Sequence, residues 1–336
     1  MTLKAGETAG TCELQSVPCD HCGCKDTDVL FSTPDWTGVV TGRFSVAVCR
    51  TCGLARTDPQ PTPETLALAY GKDYGPHDAT VKTTEAPRGL LRWCLANYRG
   101  YPLGRPAPAL LRALLKPLAA MKFRNRYWVG YVPYDGDGRL LDLGCGIGRY
   151  VARMAVAGWK AEGLEPAPRA VQTGRTAGLT IREGTLPGTT LPEASYDVVT
   201  MWHVLEHVPS PKATLEAVRR LLRPGGRVMV IGPRLDSLGA RWFGPYWYGV
   251  ELPRHLTHFT KATLRRHIEA AGLEVERMTS LRRPTFVRRS MALMAKDKDS
   301  AVCRLLARGR LIPRLLSHVA SVVGRTDEMV CMARRS

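Results

Sequence analysis

An apolar segment that runs into three alternating glycines constrains the fold of this chain more than any other feature. Residues 139–150 read Arg-Leu-Leu-Asp-Leu-Gly-Cys-Gly-Ile-Gly-Arg-Tyr, so a short strand would lead through a tight turn into a helix. Glycine lets the backbone turn sharply and approach a ligand closely, because it carries no Cβ. Asp142 lies at the end of the strand, and Glu165 follows at the distance from the glycines where an acid can bind ribose hydroxyls. The pattern therefore predicts a nucleotide-type site at the carboxyl edge of a parallel sheet.

Segments with strand and helix character alternate from residue 139 onward. Strands are expected at 139–143, 160–164, 180–183, 196–201, 227–231, 274–278 and 328–333. Helices are expected at 150–157, 167–177, 213–222 and 261–271. Such alternation favours a mostly parallel sheet with helices on both faces. We therefore expect an α/β fold of the Rossmann-like, doubly wound class with one seven-stranded sheet.

Two Cys-x-x-Cys-Gly turns precede this predicted sheet. Cys19 and Cys22 form the first pair, and Cys49 and Cys52 form the second. Four thiolates in two such turns can close a tetrahedral zinc site that leaves no position open for catalysis. We expect one structural Zn²⁺ here, and the competing interpretation is four reduced cysteines without a metal.

Composition and punctuation divide the chain into four parts. Residues 1–18 are polar and expected to be disordered, residues 19–56 would form a small zinc ribbon, and residues 57–134 a connector with basic amphipathic helices. Residues 135–336 would form the sheet domain, with a helical insertion at about 279–327.

The charge of the chain indicates an anionic partner. The net charge is +18, which suits nucleic acid, a nucleotide-linked substrate or a membrane surface. The basic helices of 57–134 would either pack on the main domain, which we favour, or face a membrane. No apolar export segment begins the chain and no apolar run has the length of a membrane span. We expect a cytoplasmic protein, either free or peripheral at the inner face of the membrane, with its oligomeric state open.

Further motifs follow the glycine turn in a fixed order. They are Gly163-Leu-Glu-Pro, Tyr196-Asp-Val-Val-Thr-Met, Val204-Leu-Glu-His-Val and Leu222-Arg-Pro-Gly-Gly. With these motifs the chain resembles class I S-adenosylmethionine-dependent methyltransferases over residues 138–278 and the last strand. The resemblance implies S-adenosylmethionine as cofactor, with the glycine turn near its methionine part and Glu165 on both ribose hydroxyls. The cofactor-binding residues that it implies are Asp142, Gly144, Cys145, Gly146, Gly148, Glu165, Gly184, Thr185, Leu186 and His203.

Methyl transfer is an in-line displacement at a sulfonium carbon, so an enzyme must position the acceptor and, where needed, remove its proton. His203, Glu206 and His207 follow the fourth predicted strand and would share one face of a helical turn. We expect His207 to act as the general base, oriented by Glu206, without a required catalytic metal. The alternative is that these two residues only position the loop and the acceptor. His255 and His258 are rival bases.

Similar quinone-pathway O-methyltransferases have acidic residues at the positions of His203 and Glu206, followed by a histidine, and these residues bind a divalent metal there. A histidine at the first position of this chain makes a site of two histidines and one carboxylate an open possibility, while it weakens the case for a hard metal.

Residues 232–259 contain glycines, aromatic residues, arginine and histidine, which suits a lid over a polar or glycosylated acceptor. Trp242, Trp247 and Tyr248 would stack on sugar faces, or would fill the core beneath the lid. The leading function is O-methylation of a small or glycosylated acceptor, either free or lipid-linked. The alternatives are an RNA methyltransferase, a C-methyltransferase of a nucleotide-linked sugar, and a non-catalytic zinc-ribbon scaffold. Enzymes of the first two kinds resemble this chain in carrying an amino-terminal zinc ribbon.

Overall fold

The computed structural model describes residues 10–71, 85–123 and 130–336. We expected residues 1–18 to be disordered, and of these the structure describes only residues 10–18. Positions 124–129 of the basic helical segment lie outside the described residues. Residues 10–18 are ordered in the structure. Their strand β1 (Leu14–Gln15) pairs with β5 (Gln60–Pro61), and Cys12 is buried, so contacts with the connector hold this segment in place.

The cysteine turns belong to a small antiparallel sheet. Strands β2 (Thr27–Pro34), β3 (Arg43–Cys49) and β4 (Ala55–Thr57) pair in sequence order. The fourth strand, β11 (Thr257–His258), comes from the region expected to be the lid and pairs with β4. The amino-terminal region and the lid region thus share one sheet.

Short helices connect this small sheet to the main domain. Helix α1 (Pro63–Leu66) continues into a 3-10 turn at Ala67–Tyr70, and α2 (Gly89–Tyr98) and α3 (Ala109–Phe123) follow. Helix α3 packs through Ala119 and Phe123, whereas Leu110, Leu114 and Met121 are about 70% exposed. The packing that we favoured for these helices therefore holds for only part of the apolar stripe of α3.

The main domain is the expected Rossmann-like α/β fold. Its seven strands are β6 (Arg139–Leu143), β7 (Lys160–Glu165), β8 (Ile181–Glu183), β9 (Tyr196–Trp202), β10 (Leu222–Pro233), β12 (Leu273–Leu281) and β13 (Glu328–Arg335). Their order is β12-β13-β10-β9-β6-β7-β8, and β13 runs antiparallel to both of its neighbours. The other pairs are parallel, so the carboxyl ends of β6, β7, β9 and β10 meet at one edge.

Helices cover the sheet and form the carboxyl-terminal insertion. The helices that accompany the sheet are α4 (Arg149–Ala155), α5 (Pro168–Thr176), α6 (Pro211–Leu221), α7 (Leu238–Phe243) and α8 (Lys261–Ala270). The insertion before β13 contains α9 (Pro284–Asp297), α10 (Ala301–Arg308) and α11 (Leu311–Val322). Among the helices of the described residues, none combines the length and apolar character that a membrane crossing requires.

The predicted and observed strand boundaries differ most at β10, which begins at Leu222, five positions before the expected Arg227. Leu222 already pairs with Tyr196, and the register shifts between Leu222 and Arg227. The Pro-Gly-Gly segment therefore lies in an irregular stretch of the strand after α6 has ended at Leu221.

Candidate active site

The glycine turn after β6 closes against the acid at the end of β7. Gly144 has φ +60°, and a Cβ there would lie 2.5 Å from Val204. Such contact excludes any larger residue, since real Cβ atoms do not approach so closely. The backbone N–H of Gly146 donates to the Glu165 carboxylate (2.8 Å), and Ala167 donates to its other oxygen (3.0 Å). The structure thus brings together the two features that the sequence linked only by spacing.

Asp142 lies beneath this turn and connects two central strands. Its side chain is buried and accepts a hydrogen bond from the Thr200 hydroxyl of β9 (2.6 Å). Burial raises the pKa of Asp142 to about 7, and the nearby Glu165 carboxylate acts in the same direction. A protonated or half-protonated carboxyl suits a position where a fully charged group would be poorly solvated.

Other residues of the expected cofactor site also lie at the carboxyl ends of the parallel strands. Gly184 comes after β8, and its backbone N–H donates to the carbonyl of Glu165 (3.1 Å). Thr185 begins a turn in which Thr189 donates to its carbonyl (2.8 Å). Cys145 packs against Gly163, where a Cβ would lie 2.4 Å from its sulfur, and burial raises the pKa of its thiol. Gly184 and Thr185 are therefore beside Glu165, and Cys145 is a packing group.

His203 lies between two carboxylates. Its nitrogens contact Glu206 (3.2 Å) and Glu328 (2.6 Å), and Glu328 also receives a hydrogen bond from Arg283 (2.6 Å). Burial lowers the pKa of His203, but the two carboxylates outweigh it and raise the pKa to about 9. An imidazolium that donates from both nitrogens has no lone pair with which to accept a proton. His203 is thus poorly suited to the base role that we considered for it.

His207 is held in one tautomer by the backbone. Its Nδ1 lies 3.1 Å from the carbonyl oxygen of Arg254, which can only accept, so Nδ1 must carry the hydrogen. The hydroxyl oxygen of Tyr70 lies at the same distance from Nδ1. The lone pair is therefore on Nε2. In the described residues Glu206 forms no hydrogen bond with His207, so the orienting group is the Arg254 carbonyl instead of the expected Glu206.

His255 and His258 are buried neighbours of His207. The His207 and His255 rings meet edge to face at 4.5 Å, and Nδ1 of His255 donates to the carbonyl of Gly249. Burial lowers the pKa of both, that of His258 to about 3. Thr57 donates its hydroxyl proton to the His255 carbonyl, so His258 Nε2 donates to Thr57. Both histidines are neutral groups engaged in holding the lid region to β4.

The candidate metal ligands differ from the expected set. Ligand atoms of Glu206, His207 and His255 lie within 4.8 Å of one another. His203 is absent from this group because its nitrogens face Glu206 and Glu328. The combination of two imidazoles and one carboxylate suits a borderline divalent ion better than Mg²⁺.

Comparison with known proteins identifies the family. A family profile described as a methyltransferase domain matches residues 105–277. The chain belongs to this methyltransferase domain family. A ubiquinone biosynthesis O-methyltransferase from Cereibacter sphaeroides is 37% identical over 177 residues, which cover 50% of this chain and 70% of that protein. One from Idiomarina loihiensis is 34% identical over 115 residues, or 31% of this chain and 47% of that protein.

The chain therefore spans about half the length of some relatives and more than two thirds of others. An S-adenosylmethionine-dependent methyltransferase of known structure from Mesorhizobium loti is 17% identical, with a TM-score of 0.43, and the alignment covers 61% of this chain and 94% of that one. The protein is a class I S-adenosylmethionine-dependent methyltransferase, as its motifs predicted.

The amino-terminal region of the methyltransferase reaches the active site. Arg254 is 2% exposed and forms an ion pair with Asp35 (3.0 Å), which is itself buried. Its guanidinium also donates to the Ala69 carbonyl (2.9 Å) and to Thr37 (3.1 Å). Burial would raise the pKa of Asp35, but Arg254 holds it below its ordinary value. Tyr70 follows directly and contacts His207. Sequence reasoning missed these partners because no local pattern relates residues so far apart.

The aromatic residues of the expected lid divide into two groups. Trp247 is 2% exposed, and its indole N–H donates to Asp327 (2.8 Å), so it fills the core and is unavailable for stacking on a sugar. Trp242 is 38% exposed. Tyr248 lies beneath the guanidinium of Arg289. Of the three residues considered for sugar stacking, Trp242 alone presents a large accessible ring.

The four cysteines of the methyltransferase converge as their spacing predicted. Sulfur–sulfur distances are 3.4 Å for Cys19 and Cys52 and 3.5 Å for Cys22 and Cys49, and all four lie within 4.8 Å of one another. Burial raises the pKa of Cys19 although backbone N–H groups point at its sulfur, whereas at Cys49 such N–H groups outweigh burial and lower the pKa to about 6. Cys24 faces the Asp26 carbonyl instead. This donor set fits one tetrahedral Zn²⁺.

Proposed function

We propose that this methyltransferase transfers a methyl group to a hydroxyl oxygen of a small or glycosylated acceptor, either free or lipid-linked. The main support is the hydrogen bond between His207 and the backbone of Arg254. Nδ1–H of His207 donates to the Arg254 carbonyl, so Nε2 holds the lone pair. A hydroxyl acceptor must lose its proton as the new bond forms, and an imidazole of this kind can take it. Relatives named as O-methyltransferases support oxygen as the acceptor atom.

The residues at the glycine turn fit S-adenosylmethionine, which supplies an electrophilic methyl group when bound. The turn allows close backbone approach, and the Glu165 carboxylate lies at the end of β7, where it would accept from the ribose hydroxyls. Gly184 and Thr185 would line the adenine side. His207 would receive the acceptor proton at Nε2, and the acceptor would lie between His207 and the turn. His203, paired with two carboxylates, would hold the loop after β9 in place.

We also propose that Cys19, Cys22, Cys49 and Cys52 bind one structural Zn²⁺. Their sulfurs already stand at nearly the separation of ligands around a single ion. Four protein ligands complete the shell, so this metal would stabilise the amino-terminal region and take no part in the reaction.

RNA methylation is the second candidate function, because the net charge of +18 would favour phosphate binding. A gel shift with RNA at two salt concentrations tests it, since phosphate contacts make affinity fall steeply with salt. Within residues 10–71, 85–123 and 130–336, no structural feature favours C-methylation of a nucleotide-linked sugar over these two. The closed contact between the glycine turn and Glu165 argues against a degenerate scaffold.

The decisive experiment supplies methyl-labelled S-adenosylmethionine with phenolic, glycosylated and polyprenyl-linked hydroxyl compounds and with RNA. Nuclear magnetic resonance of the product then distinguishes a methyl on oxygen from one on carbon or nitrogen. We expect O-methyl product with a hydroxyl acceptor. Transfer only to carbon, to nitrogen or to RNA would overturn the proposal.

The His207→Gln variant tests the base. We expect turnover with the acceptor found above to fall by roughly 10²–10⁴-fold, while calorimetry shows unchanged S-adenosylmethionine binding. His318→Gln, at an exposed position on α11, is the matched control and should retain full turnover. Unchanged turnover in His207→Gln would exclude this residue as the base.

A further inference from the structure

Helix α11 presents its large apolar side chains to solvent. The face packed against the protein contains the buried Pro313, Ser317 and Ala320, with Leu316 partly buried against the core. The opposite face carries Leu311, Leu315 and Val322, which are 79%, 58% and 74% exposed, with Ile312, Val319 and Val323 beside them. A helix that only covered the protein would place its largest apolar residues inward. On α11, by contrast, most of the large apolar residues face outward, and Leu316 alone among the leucines of this helix packs inward.

Helix α10 extends this exposed apolar surface. Val302 and Leu305 are 67% and 70% exposed, whereas Leu306 and Ala307 pack against the protein core. Both helices pack on α9, so residues 301–323 form one unit, here named the outer hairpin. Exposed apolar residues in this number, on two helices that are neighbours in sequence, mark an interaction surface in soluble proteins.

The charges of the outer hairpin identify the kind of surface that it fits. Residues 301–323 contain four arginines and no aspartate or glutamate, and a fifth arginine follows at position 325. These arginines are all exposed: Arg304, Arg308, Arg310, Arg314 and Arg325. Arginines that flank an apolar face are the pattern of helices that lie in the headgroup region of an anionic bilayer.

A second copy of the chain fits this surface less well. Pairing two outer hairpins would bring eight arginines together. Arg304 pairs with Asp299 next to the hairpin, but no carboxylate within 301–323 would be available to neutralise the others. A bilayer containing acidic phospholipids fits both properties of the surface. Its acyl region can bury the apolar side chains, and its phosphates can neutralise the guanidinium groups. Burial of the apolar face and neutralisation of the arginines then occur in one contact.

We propose that the outer hairpin docks this methyltransferase on a membrane surface rich in anionic phospholipids. The apolar side chains of α10 and α11 enter the boundary between headgroups and acyl chains, and the arginines bind lipid phosphates. The docking rests on residues 301–323 alone and holds whichever acceptor is methylated.

The hairpin also contacts the strand-end segment that leads to the active site. Arg282 contacts His318 of α11 (3.4 Å), and the adjacent Arg283 forms the ion pair with Glu328 that adjoins His203. A docked hairpin would therefore hold the active site near the bilayer, where a lipid-linked acceptor resides.

Vesicle flotation with the full chain tests the docking without acceptor or cofactor. We expect binding to vesicles of phosphatidylcholine and phosphatidylglycerol, weak binding to phosphatidylcholine alone, and loss of binding at high salt. The double variant Leu311→Ser/Leu315→Ser should bind at least roughly tenfold more weakly. The matched control is Val29→Ser/Leu30→Ser, at positions of β2 that are 62% and 52% exposed, and it should bind as the native chain does.

A second variant separates charge from apolar insertion. Arg310→Gln/Arg314→Gln should lose the preference for phosphatidylglycerol, and its circular dichroism should match that of the native chain. No binding of the native chain, equal binding to both vesicle types, or equal loss in hairpin and control variants would overturn the proposal. A dimer in light scattering that only the hairpin variant disrupts, without vesicle binding, would assign the face to a second copy instead.

Discussion

The amino-terminal region and the outer hairpin are both additions to the same catalytic sheet, but their contacts with it differ in kind. The amino-terminal region contributes three strands to a sheet completed by β11, and buried polar groups join it to the active site through Arg254 and Tyr70. The outer hairpin packs through small residues together with Leu306 and Leu316, and leaves most of its large apolar side chains exposed. The amino-terminal region thus supplies buried partners to the active site, whereas the outer hairpin exposes an apolar face to solvent.

Polar contacts of the first kind fix geometry because their loss leaves buried groups without partners. The carbonyl of Arg254 sets the tautomer of His207 while its guanidinium binds Asp35. One residue thus couples the position of the amino-terminal region to the proposed base. We therefore expect substitutions in the amino-terminal region to lower catalytic activity. Substitutions on the outward face of the outer hairpin should leave the stability of the fold unchanged.

Removal of the proposed zinc should have the largest effect. Cys49→Ser removes one of four ligands, and structural zinc sites in small modules contribute on the order of 10 kcal/mol to folding. We expect the zinc content, measured by plasma mass spectrometry, to fall from one ion per chain to near zero, with a lower melting temperature. Cys24→Ser is the control, since its sulfur faces the Asp26 carbonyl. Full zinc in Cys49→Ser would contradict the proposed ligand set.

Arg254→Met should have the next largest effect. It leaves the buried Asp35 carboxylate without its guanidinium, and breaking such a pair lowers the free energy of unfolding by about 3–5 kcal/mol. Urea denaturation measures the change. Arg50→Met breaks an exposed pair with Asp28 and should change stability little. Equal losses in both variants would remove the distinction between a buried interface and an ordinary surface pair.

The sequence predicted contacts between residues of one strand–helix–strand unit. It did not predict contacts between residues that lie far apart along the chain. The glycine turn and Glu165 could be paired because their spacing is set by one strand–helix–strand unit. The contact of His203 with Glu328 spans 125 residues, and that of Arg254 with Asp35 spans 219. Only the assembled sheet brings such residues together. The sequence consequently led us to expect Glu206, the nearest polar neighbour, to orient His207, whereas the structure places the Arg254 carbonyl at its Nδ1.

The hairpin illustrates a different limit of sequence reasoning. We predicted a helical insertion at about 279–327, and the structure contains α9, α10 and α11 there. An apolar stripe has the same period whether it packs on a protein core or faces a bilayer. Only the burial of Ser317 and Ala320 shows which side of α11 faces the protein.

The charged cluster at His203 should produce a smaller, pH-dependent effect. Its pKa is raised to about 9, so its stabilisation is complete below the unfolded value near 6.5 and disappears as the pH rises toward 9. Over that interval each pH unit removes about 1.4 kcal/mol of the free energy of unfolding. The stability difference between native protein and His203→Gln should therefore shrink from pH 6.5 to pH 9, as urea denaturation would show. A difference that does not vary with pH would mean that His203 is neutral in the folded state.

Leu315→Gln should have the smallest effect on stability and sharpens the comparison most directly. Its side chain is 58% exposed, so the free energy of unfolding should change by no more than about 0.5 kcal/mol. Ala320→Leu, on the same helix but 1% exposed, enlarges a side chain in a packed site and should cost about 1–3 kcal/mol. If urea denaturation gave Leu315→Gln the larger cost, the apolar face of α11 would already be covered by protein in solution. A near-zero cost for Leu315→Gln, together with its weaker vesicle binding, would instead show that Leu315 contributes to docking and not to folding.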